Sequence, residues 1–271
     1  SPTKRKTMTT KERNCQVILR GARGLVGAAC LCLGVITAHA APELNPLKPR
    51  VIALDFAVGE AGKGSVVTAD CDGDGRMDFV VTAPGHLGAY RHDGQRLWHE
   101  ETDLRVSAGG SESAGLPGHD APGVQVADVD GDGQAEVLHL DQSSTVQFRN
   151  AKTGTVKKTV RVPHPDGAER WEHLAVANLR GRGDRDLVLQ ATNAEGYRMG
   201  RYVAAFAVEN LDGPPLWQTD HFGALAHGPL RLGDLNGDGR DEVCGYTILG
   251  PEGQPTAWRY PAIGPENAGG A

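Results

Sequence analysis

A nine-residue acidic marker recurs along this chain, and few folds accommodate such a repeat. It reads Asp70-Cys-Asp72-Gly-Asp74-Gly-Arg-Met-Asp78, then Asp128-Val-Asp130-Gly-Asp132-Gly-Gln-Ala-Glu136. A third copy reads Asn178-Leu-Arg180-Gly-Arg182-Gly-Asp-Arg-Asp186, and a fourth Asp234-Leu-Asn236-Gly-Asp238-Gly-Arg-Asp-Glu242. Their starts lie 58, 50 and 56 residues apart. A period of that size belongs to solenoids, propellers and arrays.

The flanks choose among these. A short apolar run precedes each marker: 65–68, 124–127, 174–177 and 230–233. A β-rich run follows each: 79–82, 137–140, 187–190 and 243–246. Two further candidate strands complete most units, split by turn signals such as His92-Asp93-Gly94, Lys152-Thr153-Gly154 and Leu211-Asp212-Gly213. Four short strands per repeat predict an all-β chain, a β-propeller of four-stranded blades. Glycine at 37 residues and aromatics at 5% suit short strands and tight turns. Four blades are expected to form part of a ring rather than a whole one, either a segment of a larger protein or a truncated product.

Carboxylates packed this densely repel one another unless a cation sits among them. Marker positions 1, 3 and 5 offer side-chain oxygens, position 7 a backbone carbonyl, and position 9 closes the shell. The predicted ligands are Asp70, Asp72, Asp74 and Asp78; Asp128, Asp130, Asp132 and Glu136; and Asp234, Asn236, Asp238 and Glu242. Oxygen-only donors on a flexible loop suit Ca²⁺. An EF-hand is excluded, because position 12 is Val81, His139 or Gly245 instead of glutamate. In the third copy Arg180 and Arg182 replace two ligands, so that loop is expected to be metal-free, its arginines pairing with Asp184 or Asp186. Three calcium ions are therefore predicted.

The first forty residues read as an address. Lys11, Arg13, Arg20 and Arg23 precede an apolar run, Leu25 to Ile36, that ends in Ala38-His39-Ala40. This is the pattern of a secretory signal peptide starting at Met8 behind a short upstream extension. The run is too short for a stable membrane anchor. The expected organisation is signal at 1–40, linker at 41–54 and propeller repeats at 55–271, with the product secreted or periplasmic. Residues 1–40 carry seven basic and one acidic side chain, so the net −6 of the whole chain becomes −12 beyond them. That charge argues against nucleic acid as a partner. Cys71 and Cys244 remain beyond the signal. A bridge between them and two free thiols are both open.

The markers and their strand flanks resemble FG-GAP/VCBS-type repeats of calcium-binding β-propellers. Two stretches carry a finer likeness: Val176 to Leu189 with the later Tyr202 and Trp217, and His227 to Tyr246. They resemble blades of secreted rhamnogalacturonan lyases. That resemblance implies a calcium-containing propeller, of eight blades in the family, that cleaves acidic pectic backbones by β-elimination. An acidic polysaccharide is the partner it implies. This chain departs from it in holding only four markers.

Spacing exposes a histidine row as well. His119, His173 and His227 are 54 residues apart in turn, each a few residues before its marker. They are expected at the end of the first strands remote from the calcium loops. A lyase needs a base for the proton α to a uronate carboxylate and a positive group for the charge that develops there. His119 and His227 are the candidate bases, and Arg201 and Tyr202 the candidate charge neutraliser and proton donor. The competing reading is a non-catalytic repeat module that binds carbohydrate or protein. Trp98 and Trp217 are expected to close blades.

Overall fold

The computed structural model describes residues 51–57, 64–104, 123–141, 143–166, 170–192, 202–222, 230–245 and 247–259. The signal-like segment 1–40 lies outside them.

Sheet one holds β1 (Ser65–Ala69), β2 (Asp78–Ala83), β3 (His86–Tyr90) and β4 (Arg96–Glu101). Sheet two holds β5 (Val124–Ala127), β6 (Glu136–Leu140), β7 (Thr145–Asn150) and β8 (Val156–Arg161). Sheet three holds β9 (Arg170–Ala177), β10 (Asp186–Thr192), β11 (Val203–Ala207) and β12 (Trp217–Thr219). Sheet four holds β13 (Arg231–Gly233), β14 (Glu242–Cys244), β15 (Thr247–Leu249) and β16 (Pro255–Arg259). Each sheet is an antiparallel meander in chain order. The described residues contain one short 3-10 turn, Val208–Asn210, and no helix long and apolar enough to cross a membrane.

The two-residue period of a strand explains how the sheets stack. In sheet three, Leu187, Leu189 and Phe206 face sheet two, while Val188, Val203 and Ala205 face sheet four. In sheet two, Val124 and Val137 face sheet one, while Leu138 and Phe148 face sheet three. Every inner sheet is thus apolar on both faces, and three cores lie between four blades. Burying each of the Val, Leu and Phe side chains contributes about 1.5–3 kcal/mol. β1 lies beside β5, β5 beside β9 and β9 beside β13, which makes the first strand of each blade the innermost. The architecture is a partial β-propeller.

The blade junctions share one device. The ladders place Trp98 opposite Ala89, Lys158 opposite Phe148 and Trp217 opposite Ala205, the same position in three blades. Each donates into the turn before the last strand of the next blade. Trp98 Nε1 reaches the carbonyl of Ala151 at 2.7 Å, Lys158 Nζ that of Val208 at 3.2 Å, and Trp217 Nε1 that of Pro251 at 2.7 Å. Gly154 and Gly253 lie against the two indoles, where a Cβ would stand 2.7 and 2.5 Å from the ring.

The other face of sheet one is covered locally. Phe56 stacks on His86 and His99, and Asp55 meets Tyr90 and Arg96. Asp55 and Phe56, the first residues of the expected propeller span, thus pack against the first blade. Both thiols are free. Cys71 lies in the core between sheets one and two, where burial pushes its thiol up to about 12, and Cys244 lies on β14 of sheet four.

Candidate metal loops and the opposite face

Each marker forms the turn between the first two strands of its blade. The turn does not depend on charge. The paired glycines, from Gly73 and Gly75 to Gly237 and Gly239, all have φ between 68° and 84°, where a side chain is strained. Position 1 caps the turn. Asp70 accepts from the amides of Gly73 and Gly75 at 2.8 and 2.9 Å, and Asp234 from Gly237 and Gly239 at 2.7 and 2.9 Å. Asn178 does the same in the third loop, accepting from Gly183 at 3.0 Å. Position 9 is buried in all four blades, as Asp78, Glu136, Asp186 and Glu242. It accepts the amide of position 2, from Cys71, Val129, Leu179 or Leu235, at 2.8–3.2 Å.

What differs between loops is the source of positive charge. In the third, Arg180 is that source. Its Nε lies 2.7 Å from Asp186 and its Nη1 2.8 Å from Glu209. Those hydrogen bonds, led by Glu209, raise its pKa; burial raises that of Asp186 despite the arginine. In the second, Lys157 stands among the carboxylates. Its Nζ is 2.6 Å from Asp130, 3.0 Å from Asp132 and 2.7 Å from Glu136. The lysine holds Asp132 below the usual carboxylate range, while burial lifts Glu136. In the first, Arg91 touches Asp72 at 3.3 Å and Asp74 at 3.1 Å, and Asp78 instead accepts from the His92 amide at 2.8 Å. In the fourth, Arg240 is 3.9 Å from Asp238 and turns to Glu252.

The donor sets suit a hard cation. Oxygens of Asp70, Asp72 and Asp78, and of Asp128, Asp130 and Glu136, lie within 4.8 Å of one another. The ammonium of Lys157, against Asp130 and Glu136 of the second set, marks a place where positive charge is favourable. The third predicted set, Asp234, Asn236, Asp238 and Glu242, is less gathered: its three carboxylates do not meet within that distance. There Asn236 Nδ2 donates to Glu242 at 3.0 Å, so its amide must turn over to offer oxygen to a metal. Lys157, Arg91 and Glu209 escaped the sequence reading. For Lys157 a signal existed: it replaces the apolar residue of Arg96-Leu97-Trp98 and Pro215-Leu216-Trp217.

The candidate catalytic group is only partly in view. His119, His227 and Arg201 lie outside the described residues. Tyr202, just before β11, donates its hydroxyl to Gln218 at 2.7 Å. His173 is fully buried on β9 with both ring nitrogens unpaired, and burial pushes it down to about 3. It cannot meet a polymer. A small cleft opens at the marker-remote end of the first strands, lined by Leu104, Gly123, Asp141, Arg170, Trp171 and Glu172 among others. Arg170 Nη2 and Glu172 pair there at 2.8 Å.

Residues 70–139 match the FG-GAP-like repeat family. No curated protein matches the chain. Among solved structures, the rhamnogalacturonan lyase of Bacillus licheniformis matches with TM-score 0.51 and 18% identity, over 71% of this chain and 41% of that one. The exotype rhamnogalacturonan lyase YesX gives 0.48 and 17%, over 71% and 40%. The V. cholerae biofilm matrix protein Bap1 gives 0.42 and 20%, over 74% and 30%. The chain thus spans about two fifths of the lyases it matches. At such identity the likeness shows the fold.

Proposed function

We propose that this chain, with FG-GAP-like repeats on a partial β-propeller, binds calcium at its first, second and fourth marker loops. We further infer that it serves a secreted or periplasmic lyase-type propeller acting on uronate-bearing polysaccharide. One observation carries the calcium reading. Where the marker loses its acids, Arg180 supplies a protein cation to the same buried carboxylate position, so the site wants positive charge in every blade. Bound calcium would supply that charge in the other loops, held by the acids already named, and would lock the turn between two strands. The lyase reading is supported by the sequence resemblance in the third and fourth units and by the shared fold. In it His119 or His227 takes the proton α to the uronate carboxylate. Arg201 neutralises the developing charge, and Tyr202 hands a proton to the leaving oxygen.

Two measurements test this. Metal analysis of purified protein should find calcium at more than one ion per chain, and fewer than one overturns the loop reading. Incubation with acidic polysaccharides should release an ultraviolet-absorbing unsaturated product, lost in Tyr202→Phe. Calcium-loaded protein that releases none from any such polymer refutes the lyase reading.

A further inference from the structure

We propose that Lys157 grades the calcium loops, making the second the weakest of the three sites. This rests on the calcium reading above and adds to it a residue that lies outside the marker.

The four blades form an internal series. Their turns share the same paired glycines, the same cap at position 1 and the same buried carboxylate at position 9. The variable is how far a protein cation reaches into the acid cluster. In the fourth loop Arg240 stays at the rim, 3.9 Å from position 5 alone. In the first, Arg91 contacts positions 3 and 5 from the β3–β4 turn but does not pair with position 9. In the second, one ammonium lies within 3.0 Å of positions 3, 5 and 9 together. In the third, Arg180 occupies position 3 itself and pairs with position 9.

Lys157 therefore engages Asp130 and Glu136, two of the three carboxylates that a metal would need. Both oxygens of Asp128 are already engaged by the amides of Gly131 and Gly133, so the remaining charge of this loop is what the lysine answers. A divalent ion entering here must displace the ammonium, and the lysine it displaces stays tethered close by, repelling it. Neither term applies in the fourth loop. In the first, Arg91 has to leave positions 3 and 5, while position 9 has only the His92 ring as a basic side chain nearby, at 3.6 Å. The lysine reaches inward because Lys157 sits at a bulge in the β7–β8 ladder, between the paired residues Val156 and Lys158. A bulge turns one side chain away from the sheet's regular alternation. The corresponding bulge in blade one carries Leu97, and in blade three Leu216 stands just before β12.

Calcium titration of the full chain, followed by calorimetry and metal stoichiometry, tests this. The wild type should show two tight sites and a third at least tenfold weaker. Lys157→Met should bring the third into the tight class. Asp130→Asn should abolish the weak class and leave the tight pair. Lys158→Met removes the same charge one residue away, where the side chain points to Val208, and should leave the two classes apart. Three equivalent sites in the wild type, or an unchanged third site in Lys157→Met, overturns the proposal. Absence of binding in every variant instead overturns the calcium reading on which it stands.

Discussion

The third and fourth marker loops have one backbone and opposite electrostatics. Gly181 and Gly183 adopt φ of 68° and 80°, Gly237 and Gly239 79° and 83°. Asn178 caps one turn as Asp234 caps the other. Yet the third is neutralised by Arg180, and the fourth keeps its acids with only a distant arginine. Turn shape and charge are therefore separable. Glycine and the capping residue fix the first; the remaining positions decide whether the neutralising cation is built in or borrowed. The two loops also touch. Asn178 accepts from Asp241 at 3.0 Å and donates to its carboxylate at 2.7 Å, so blades three and four join across that difference.

Removing calcium should separate the two most strongly. A site held at 1,000 times its Kd adds about 4 kcal/mol. In a domain of this size each kcal/mol moves Tm by roughly 2–4 °C. A chelator should thus lower Tm by about 10 °C or more, and hydrogen exchange should speed in loops one and four while loop three keeps its protection. Equal loss in all four loops would erase the distinction.

Arg180→Ala attacks the other side. It strands the buried Asp186 without a cation, a defect of about 3 kcal/mol. Denaturant unfolding should show the same loss with and without calcium. If calcium restores the stability, loop three takes metal after all.

These contrasts show what the chain order reveals and what it hides. The marker, its spacing and its apolar flanks foretell four-stranded blades with the marker after the innermost strand, because glycine turns and two-residue alternation are local. Three of the expected acids converge in each of the first two loops for the same reason, since nine consecutive residues fold on themselves. Lys157 is different. It enters loop two from a strand 21 residues beyond Glu136, through a bulge that no local rule announces. Glu209 likewise reaches Arg180 from the end of another strand. Spacing aligned His173 with His119 and His227 but could not tell that packing against neighbouring strands would bury it completely.

Acid strikes the buried histidines, His139 and His173, as well as the loops. His173 drops from the ordinary value near 6.5 to about 3 on folding, so the unfolded chain binds its proton first as pH falls. Stability is therefore full above pH 6.5 and declines below it, by about 2 kcal/mol at pH 5. His173→Gln should reduce the slope between pH 6.5 and 5, measured in chelator to silence the calcium sites, with the buried His139, pushed down to about 4, keeping the remainder. An unchanged slope assigns the acid sensitivity elsewhere.

The smallest expected effect concerns how the blades carrying these loops are joined. Trp98→Phe keeps most of the apolar contact but leaves the carbonyl of the buried Ala151 without its indole donor; the cost is about 1–2 kcal/mol. Lys158→Met removes the equivalent bond into blade three from a side chain that water already reaches, and about 0.5 kcal/mol is the expected loss. If the two variants lose equally, the junctions are interchangeable. If the tryptophan loses more, as burial predicts, the joint entering blade three is the weaker one. Blade three is also the one whose marker loop carries its own cation, Arg180, so it combines a metal-independent marker turn with a junction that no indole closes.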